Sequence, residues 1–429
     1  MRRRREKRSN KKLILYKLKT ISRILILLIL ILFIIFIYQV IKHHKKINVQ
    51  NEEIIENIDS TNNPSQLSSS EENIDNNIAV PRNTTINMAF TGDIMCHNTI
   101  YKDAYNQSND TYDFSYIFEN IKYYLQTADI TIGNLETTFA GKSKGYRSYP
   151  RFNTPESLAY TLKKLGFDVL STANNHCYDS DYAGIESTIH YLNEADISHT
   201  GTFASKEDQN TILVKNVKGI QIAFLSYTYG TNGITIPSDK SYSVNLIDKD
   251  LIAKQLELAK QTNADLICVS MHWGVEYQTQ PNAEQQDLAD FLFKNGADLI
   301  IGNHPHVLQP MEKRTITLDD GTTKDGFVVY SLGNFLADQN KTYTRNSAIL
   351  NLKITKTVDN QITIDSATYT PIYTYKNTKL KTQKFKIIDL ESSIASYNSG
   401  YDTSISQSTY NTFSTELNNI KKILGDEIL

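Results

Sequence analysis

The sequence predicts an α/β protein in which a membrane-spanning helix precedes a layered domain that contains two sheets. Three observations lead to this prediction. An unbroken apolar run occupies residues 24–38, apolar β-type runs alternate with helical patterns from residue 86 onward, and several consecutive strand patterns follow residue 327. At 429 residues, the chain is long enough to bury a large core.

The N-terminal region predicts a single-pass membrane anchor. Residues 24–41 offer 18 nearly uniformly apolar positions, close to the lower limit for a helix that crosses a bilayer. A cleaved signal peptide is the alternative, but no small-residue cleavage site follows. Most of the basic residues of segment 1–46 precede the run, so residues 1–23 are expected to be a cytoplasmic tail. The main domain is then extracytoplasmic at the cell membrane, and the chain contacts the lipid bilayer through this helix.

The net charge of −2 combines two opposite parts. Residues 1–46 contain 14 Lys or Arg and one Glu, and the remainder carries a net charge of −15. That acidic balance argues against a nucleic-acid partner. Three cysteines, Cys96, Cys177 and Cys268, are too few for a disulfide framework and are expected to be free, buried thiols.

Segments beyond the anchor differ in composition. Residues 42–85 are rich in Asn, Ser and Glu and predict a disordered stalk, residues 86–376 form the main domain, and residues 377–429 are a partly helical extension. Strands are predicted at 86–90, 130–133, 168–173, 265–272, 298–303, 327–335, 347–357 and 361–375. Helices are predicted at 116–128, 155–166, 182–195, 283–296 and 409–425, and a hairpin at 211–227 that turns near Lys218–Gly219.

Metal-capable side chains follow one apolar strand after another. The segments concerned are TGDIMCHN (91–98), GNLE (133–136), NNHCYD (174–179), HWGVEY (272–277), GNHPHV (302–307) and SLGNF (331–335). In α/β architectures, sites assemble at the carboxyl ends of strands. That placement would bring together Asp93, Glu136, Asn175, His176, His272, His304 and His306. Carboxylate, amide and imidazole ligands suit divalent Mn, Fe or Zn, whereas a structural zinc site made of cysteines is not indicated.

Each of these residues also has a structural interpretation when it is taken singly. Asp93 could be a turn residue, His176 a hydrogen-bonded loop histidine, and His272 part of the packing around the single Trp. His304 and His306 flank Pro305, and an extended H-x-H segment would place both imidazoles on one side. The joint pattern favours a site. Other side chains in these segments could orient ligands or contact a substrate, namely His97, Asn134, Asn174, Asp179, Glu276 and Asn334.

The ordered motifs resemble those of a known family. GD (92–93), GNLE (133–136), ANNH (173–176), HWG (272–274), GNHPHV (302–307) and SLGNF (331–335) resemble the CapA/PgsA family of capsule-synthesis proteins, which is associated with bacterial poly-γ-glutamate capsules. The resemblance covers roughly residues 86–340. The family in turn is similar to calcineurin-like metallophosphatases, which implies a two-sheet β-sandwich flanked by helices, with metal ions held between loops.

The resemblance also implies roles for the site residues. Asp93 would be the first-motif carboxylate and Glu136 the bridging carboxylate, and His176 would act on a leaving group. The remaining implied ligands are Asn175, His272, His304 and His306. Metallophosphatases begin D-x-H, whereas Ile94 and Met95 follow Asp93 here, so one histidine ligand is missing unless His97 replaces it. One or two metal ions per chain are therefore expected.

Three functions remain open at this point. The first is a capsule-polymer protein that acts on poly-γ-glutamate or another polymer, with membrane-bound polymer synthase subunits as partners. The second is a metal-dependent hydrolase of phosphoesters or of an amide-linked polymer, unrelated to capsule assembly. The third is a scaffold with a degenerate site.

Overall fold

The computed structural model describes residues 82–317 and 321–425. The predicted cytoplasmic tail, the predicted membrane helix at 24–41 and nearly all of the predicted stalk lie outside these residues. Among the described residues, no helix combines the length and apolar character needed to cross a membrane.

Sixteen β-strands form in the described residues. They are β1 (Thr84–Ile94), β2 (Tyr105–Asn106), β3 (Thr111–Tyr112), β4 (Ile130–Leu135), β5 (Phe167–Ser171), β6 (Ser198–Thr200), β7 (Leu213–Val217), β8 (Ile220–Thr228), β9 (Leu266–His272), β10 (Leu299–Asn303), β11 (Leu308–Thr317), β12 (Thr323–Leu332), β13 (Asn334–Leu336), β14 (Asn346–Lys356), β15 (Ile362–Lys376) and β16 (Phe385–Asp389).

Nine α-helices form in the same residues. They are α1 (Asn98–Ala104), α2 (Lys122–Gln126), α3 (Ser157–Lys164), α4 (Asp181–Glu194), α5 (Lys206–Asn210), α6 (Lys249–Gln261), α7 (Ala283–Lys294), α8 (Leu390–Asn398) and α9 (Gln407–Leu424). Several begin at a side-chain cap, and the clearest is the Asn282–Gln285 capping box of α7.

The strands form two large sheets. The first has the order β16-β15-β14-β1-β4-β5-β6, with β13 beside β1, and the second has the order β11-β12-β10-β9-β8-β7. In the first sheet, β1, β4, β5 and β6 run parallel, and in the second β8, β9, β10 and β12 run parallel. Each sheet therefore presents several carboxyl strand ends at one edge.

The core lies in three apolar layers. Between the sheets, Met88 and Phe90 of the first pack with Phe224, Leu299 and Phe327 of the second, all of them buried. A second layer joins the outer face of the first sheet to α3 and α4, and a third joins the outer face of the second sheet to α6 and α7. Burying one such side chain stabilises the fold by about 1.5–3 kcal/mol. The result is the predicted two-sheet sandwich flanked by helices.

The hairpin predicted at 211–227 is confirmed. Strands β7 and β8 pair antiparallel, and Lys218 and Gly219 form the turn with φ values of 52° and 91°. The prediction of free thiols is also confirmed, because Cys96, Cys177 and Cys268 are unbridged and buried.

The helix predicted at 116–128 is wrong as a single element. A 3₁₀ turn covers Ser115–Phe118, and α2 begins only after Ile121, whose backbone lies outside the helical region at φ −124° and ψ −5°. Phe118, Ile121 and Leu125 are all buried in the layer outside the first sheet. Burial of these side chains overrides the local helical pattern.

Residue 377 does not separate two structural units. Strand β16 pairs with β15 as the edge of the first sheet, and Phe413, Ile420 and Leu424 of α9 lie in the core between the sheets. The predicted C-terminal extension is helical in part, as expected, but it completes the domain. At the other end, β1 begins at Thr84, within the last residues of the predicted stalk.

Candidate metal centre

The polar segments of the sequence meet at the carboxyl ends of the parallel strands. Asp93 pairs in register with Asn134 of β4 and with Asn334 of β13. In the second sheet, His272 at the end of β9 pairs with Asn303 at the end of β10. The strand pairing thus brings these segments to one edge of the sandwich, as the sequence pattern predicts.

A close backbone approach fixes the position of Asp93. The N–H of Asp93 donates to the carbonyl oxygen of Gly333 at 2.9 Å. A Cβ atom at Gly92 would lie 1.9 Å from that same oxygen, so only glycine fits there. The Asn134 amide donates to Oδ1 of Asp93 at 2.7 Å, which orients the buried carboxylate.

The loop that carries His304 and His306 has an unusual backbone. Both residues have positive φ, 97° and 59°, a conformation that L-residues rarely adopt and that concentrates at functional sites. The extended H-x-H geometry expected from the sequence is therefore wrong, although the two ring centroids lie only 5.8 Å apart. Asp93 Oδ2 stabilises the loop because it accepts the His304 N–H at 3.2 Å and lies 3.1 Å from His306 Nδ1. The Asn334 amide donates to the His306 carbonyl at 3.3 Å.

Four ligand atoms converge on one small volume. Oδ1 of Asn175 lies 2.9 Å from Nε2 of His272, and Oε1 of Glu136 lies 3.7 Å from Nε2 of both His272 and His306. Ligands about 2.1 Å from one ion lie roughly 3.0–3.4 Å apart. Ligand atoms of Asp93, Glu136 and His272 also lie within 4.8 Å of one another. The Asn175–His272 separation is close to this range, and the two separations from Glu136 exceed it by a few tenths of an ångström, so these side chains would hold a divalent metal ion after a small inward movement.

The burial and charge of Glu136, His272 and His304 favour a bound cation. Glu136 is fully buried, and neither of its oxygens has a hydrogen-bond partner. Burial, and then the charges of Asp93 and Glu276, raise its pKa well above the usual value. Burial lowers the pKa of His272 well below its usual value and that of His304 to about 3, so both imidazoles are neutral, the form that binds metals. A buried carboxylate without a partner among neutral imidazoles favours a bound cation.

His176 belongs to a separate hydrogen-bonded pair beside these ligands. Its Nδ1 lies 2.7 Å from Oδ2 of the buried Asp179, and its backbone N–H donates to Oδ1 of Asn174 at 3.1 Å. Asn174 in turn donates to the Leu135 carbonyl at 2.7 Å. The sequence-predicted residues Asn174 and Asp179 therefore orient His176 and contribute no atom to the convergent ligand group.

A cavity of about 500 Å³ opens beside this pair. Its lining includes Arg151, Asn175, His176, Asn232 and Glu276. Its volume lies within the ordinary range for small-molecule sites. Arg151 is held by its Nε, which donates to the carbonyl of Asp179 at 2.8 Å. Glu276 is exposed and lies on the cavity wall.

Met95 stands at the position where metallophosphatases have the histidine of the first motif. Met95 is buried in a small apolar cluster with Phe152 and Ala337. The His97 ring packs edge-on against Phe152 with centroids 5.3 Å apart, and its Nδ1 accepts the backbone N–H of Asp338 at 3.2 Å. Burial lowers the pKa of His97 to about 4. Because Nδ1 of His97 accepts this hydrogen bond, His97 adds no ligand atom to those of Glu136, Asn175, His272 and His306.

Sequence reasoning missed two residues of the site. The Tyr229 ring lies 4.6 Å from the His304 ring and stacks parallel to His272. Asn232 accepts a hydrogen bond from the Asn175 amide at 3.2 Å. Both belong to the YGTNG segment directly after β8, so a polar turn at a strand end was a usable signal even without a His or a carboxylate.

Comparison with known proteins gives a family for most of this domain. The family described as "Bacterial capsule synthesis protein PGA_cap" matches residues 87–339, which contain every residue of the convergent group. "Capsule biosynthesis protein CapA" of Bacillus anthracis is 33% identical over 275 residues, which are 62% of this chain and 64% of that protein. "PGA biosynthesis protein CapA" of Bacillus subtilis (strain 168) is 30% identical over 274 residues, 63% of this chain and 68% of that protein. The match to the first relative thus spans less than two thirds of its length.

Two solved structures are similar at low sequence identity. The NAD nucleotidase of Haemophilus influenzae matches with a TM-score of 0.39 and 12% identity, and it covers 80% of this chain and 61% of that chain. A putative 5'-nucleotidase from Staphylococcus aureus matches with a TM-score of 0.41 and 14% identity, and it covers 70% of this chain and 56% of that chain.

Proposed function

Because the chain belongs to the bacterial capsule synthesis protein family PGA_cap, we propose that it acts in the synthesis or export of a poly-γ-glutamate capsule. The family match over residues 87–339 is the observation that carries this proposal, and the names of the two Bacillus relatives support it. Membrane-bound polymer synthase subunits would be its partners. The apolar run at 24–41 would anchor the domain at the outer face of the membrane.

The same domain would hold a divalent metal ion as part of this function. Glu136, Asn175, His272 and His306 would supply a mixed oxygen and nitrogen ligand set, which suits Mn, Fe or Zn. Asp93 hydrogen-bonds to His306 and leaves Nε2 of that ring facing Glu136. Since Met95 occupies the position of a further histidine, we expect one tightly bound ion and a weaker second position. The two-sheet sandwich with its site at the strand ends agrees with a metallophosphatase-type fold.

The charge of the polymer gives the metal site a plausible task. Poly-γ-glutamate carries one free carboxylate per repeat, and the extracytoplasmic part of this chain is itself acidic. A site that combines a cation with the cavity beside His176 would let carboxylates approach an otherwise repulsive surface. Glu136 would neutralise part of the charge of that cation, because both of its buried carboxylate oxygens lack a hydrogen-bond partner.

A genetic complementation experiment tests the capsule function. The gene is deleted in its host, and surface polymer is measured after complementation with wild type, Glu136→Gln or His190→Ala. His190 is exposed on α4 and pairs only with Glu194, so its variant is the matched control. We expect polymer to be lost in the deletion strain, restored by wild type and by the control, and not restored by Glu136→Gln. Unchanged polymer in the deletion strain would refute the proposal.

A second function, metal-dependent hydrolysis, is favoured by the His176–Asp179 pair. A bound divalent ion would supply Lewis acidity and stabilise negative charge. Asp179 would hold the His176 ring through Nδ1–H, and the imidazolium form of the ring would donate its Nε2 proton to a leaving group in the cavity and become the neutral Nδ1–H form. Arg151 and Asn232 line the same cavity and would orient an anionic substrate.

Purified full-length protein tests this second function directly. It is incubated with Mn²⁺ and either a generic phosphodiester or poly-γ-glutamate, and wild type is compared with His176→Ala and His190→Ala. We expect His176→Ala to lower the turnover by about 10²–10⁴-fold, whereas the control keeps full activity. Absence of turnover by wild type with several metals and both substrates would eliminate hydrolysis and leave the capsule function standing.

A further inference from the structure

A basic hairpin connects β15 to β16, and we define it as residues 376–386. The stretch from residue 366 to residue 388 contains five lysines and neither Asp nor Glu. Lys379, Lys381 and Lys386 are exposed, and none of the three forms an ion pair in the described part of the chain. The hairpin is therefore a patch of unneutralised positive charge.

This patch contrasts with the rest of the domain. The chain beyond residue 46 carries a net charge of −15, and lysines elsewhere are commonly paired, as in Lys313–Asp325 and Lys324–Asp298. Lysines on an edge strand can discourage sheet extension, which would account for Lys386 on β16. That explanation does not apply to Lys379 and Lys381, because they lie in the connecting loop. Clustered like charges repel one another, so the arrangement favours an external anion.

A cavity of about 150 Å³ adjoins the basic hairpin. Its lining includes Gln383, Lys384, Lys386, Asp402 and Ser404. The Asp402 carboxylate is already engaged, because the Ser404 N–H and hydroxyl donate to it at 2.9 and 2.6 Å. Lys384, Lys386 and Gln383 bring hydrogen-bond donors to the lining, and the two lysines outnumber the single negative charge of Asp402. The cavity is several times larger than the volume of one water molecule and can accept a carboxylate with its adjoining methylenes.

The base of the basic hairpin is tied to the edge of the candidate metal centre. Lys376 Nζ lies 2.5 Å from Oδ2 of Asp338, and Arg345 lies 3.1 Å from its Oδ1. The backbone N–H of Asp338 donates to Nδ1 of His97. Asp338 therefore links Lys376, at the base of the hairpin, to His97, which lies four residues after Asp93.

We propose that the basic hairpin binds an extended polycarboxylate chain and holds it beside the candidate metal centre. The hairpin lies outside the segment matched by the family, residues 87–339, so the surface belongs to the C-terminal part of this chain. Naming poly-γ-glutamate as the natural ligand rests on the proposed function, whereas the binding surface does not. A lipid surface fits less well, because Leu380 is the single exposed large apolar side chain of residues 376–386.

Site-resolved lysine footprinting tests the proposal on the full-length chain. The protein is placed in phosphatidylcholine nanodiscs, and the acetylation rate of each lysine is measured by mass spectrometry with and without poly-γ-glutamate at about 50 mM NaCl. We expect Lys379, Lys381 and Lys386 to react about fivefold more slowly with polymer and the protection to vanish at about 1 M NaCl. The exposed Lys206, Lys294 and Lys353 are internal controls whose rates should not change. Because each lysine is read separately, binding to the basic residues 1–46 does not obscure the result.

Two charge-matched triple variants complete the test. K379Q/K381Q/K386Q should bind the polymer about tenfold more weakly, and K206Q/K294Q/K353Q should bind within about twofold of wild type. Equal affinity of both variants, or no protection of the hairpin lysines, overturns the inference even if the capsule function holds. Protection by phosphatidylglycerol vesicles but not by polymer overturns it in favour of a membrane contact. The footprinting and the gene deletion can also disagree. If the polymer protects the hairpin lysines but deletion of the gene leaves the capsule unchanged, the binding surface is supported and the proposed function is refuted.

Discussion

Nδ1 of His176 lies 2.7 Å from Oδ2 of Asp179, and both side chains are buried. The same carboxylate oxygen accepts the backbone N–H of Phe152 at 2.5 Å, so Asp179 is held from two sides. This arrangement keeps the proton on Nδ1 of His176. The Asn232 amide nitrogen lies 3.5 Å from both ring nitrogens, so Nε2 has no short hydrogen bond to Asn232. Asp179 is thus a positioning residue for His176, which stands apart from the converging ligand atoms of Glu136, Asn175, His272 and His306.

Asp179→Asn should change the tautomer of His176. The amide accepts from Nδ1–H less strongly than a carboxylate does, and it can also turn its NH₂ group toward the ring. We expect ¹⁵N NMR of histidine-labelled protein to show a single Nδ1–H tautomer for His176 in wild type and a mixture in the variant. If the site hydrolyses a substrate, turnover should fall at least about 100-fold with little change in KM. Asp181→Asn is the control, since Asp181 is exposed and contacts Arg151 only. A single unchanged tautomer in Asp179→Asn would show that Asp179 does not orient the ring.

Glu136→Gln should abolish metal binding and at the same time stabilise the metal-free protein. In the metal-free state Glu136 has no hydrogen-bond partner, and an unsatisfied buried polar group costs about 1–3 kcal/mol, more when it is charged. Glutamine removes that charge, but it also removes the shared carboxylate ligand. We expect a chelator to lower the melting temperature of wild type by several degrees and to leave that of Glu136→Gln unchanged. Elemental analysis should find no bound metal in the variant. An equal chelator effect on both proteins would contradict the assignment of Glu136 as a ligand.

Asp338→Asn should reduce stability in a pH-dependent manner. Burial raises the pKa of Asp338, but the Lys376 and Thr99 hydrogen bonds and the charges of Lys376 and Arg345 outweigh burial, so the net pKa is lowered. A carboxyl group with a lowered folded-state pKa stabilises the fold above its unfolded pKa of about 3.9, and this contribution is lost as the pH falls through the folded value. We expect wild type to exceed the variant by about 1.5–3 kcal/mol in free energy of unfolding at neutral pH.

The same comparison at low pH supplies the control for Asp338. Urea titrations of both proteins should begin to converge as the pH falls below the unfolded pKa of about 3.9, and they should coincide only below the lowered folded pKa, where the wild-type carboxyl becomes neutral. Asp365→Asn is a second control, since Asp365 lies on β15 and accepts only from Thr355 and Thr363. A stability difference that stays constant from pH 7 to pH 3 would show that packing, not charge, explains the effect of Asp338→Asn.

Much of the fold followed from the sequence because its strands are strongly apolar and end in polar segments. The parallel strands β1, β4, β9 and β10 lie where the pattern predicted them, and their ends bring Asp93, Glu136 and His272 within one small volume. Local pattern failed at residues 116–128. The buried residues of this segment keep the spacing of one helical face, yet the backbone leaves the helical region at Ile121, whose side chain packs in the layer outside the first sheet.

Side-chain roles were less predictable than positions. The positive φ of His304 and His306 depends on hydrogen bonds from other strands to their loop, and no local signal in GNHPHV encodes it. Tyr229 and Asn232 were not predicted because their segment, YGTNG, contains no His, Asp or Glu. The role of residues 377–424 was missed because a core contribution from α9 is visible only when both sheets are in place.

Met95→His should create a stronger second metal position. The backbone N–H groups of Asp93 and Met95 both donate to the β13 side of the chain, so position 95 continues the extended course of β1, and an imidazole there would project on the side of Asp93. Elemental analysis after dialysis should then find close to two ions per chain where wild type retains close to one. Met95→Leu keeps the apolar cluster with Phe152 and Ala337 and serves as the control, with wild-type stoichiometry.

Thermal unfolding distinguishes a new ligand from a merely tolerated histidine at position 95. Without metal, the polar ring in the apolar cluster should destabilise Met95→His by about 1–3 kcal/mol, because its nitrogens lack partners there. Added Mn²⁺ or Zn²⁺ should recover that loss in the variant by more than it stabilises Met95→Leu, since binding to the folded state alone raises stability. A folded Met95→His variant with wild-type stoichiometry and no additional stabilisation by metal would show that Asp93 and His306 cannot complete a second site, and that Asp93 acts only to orient His306.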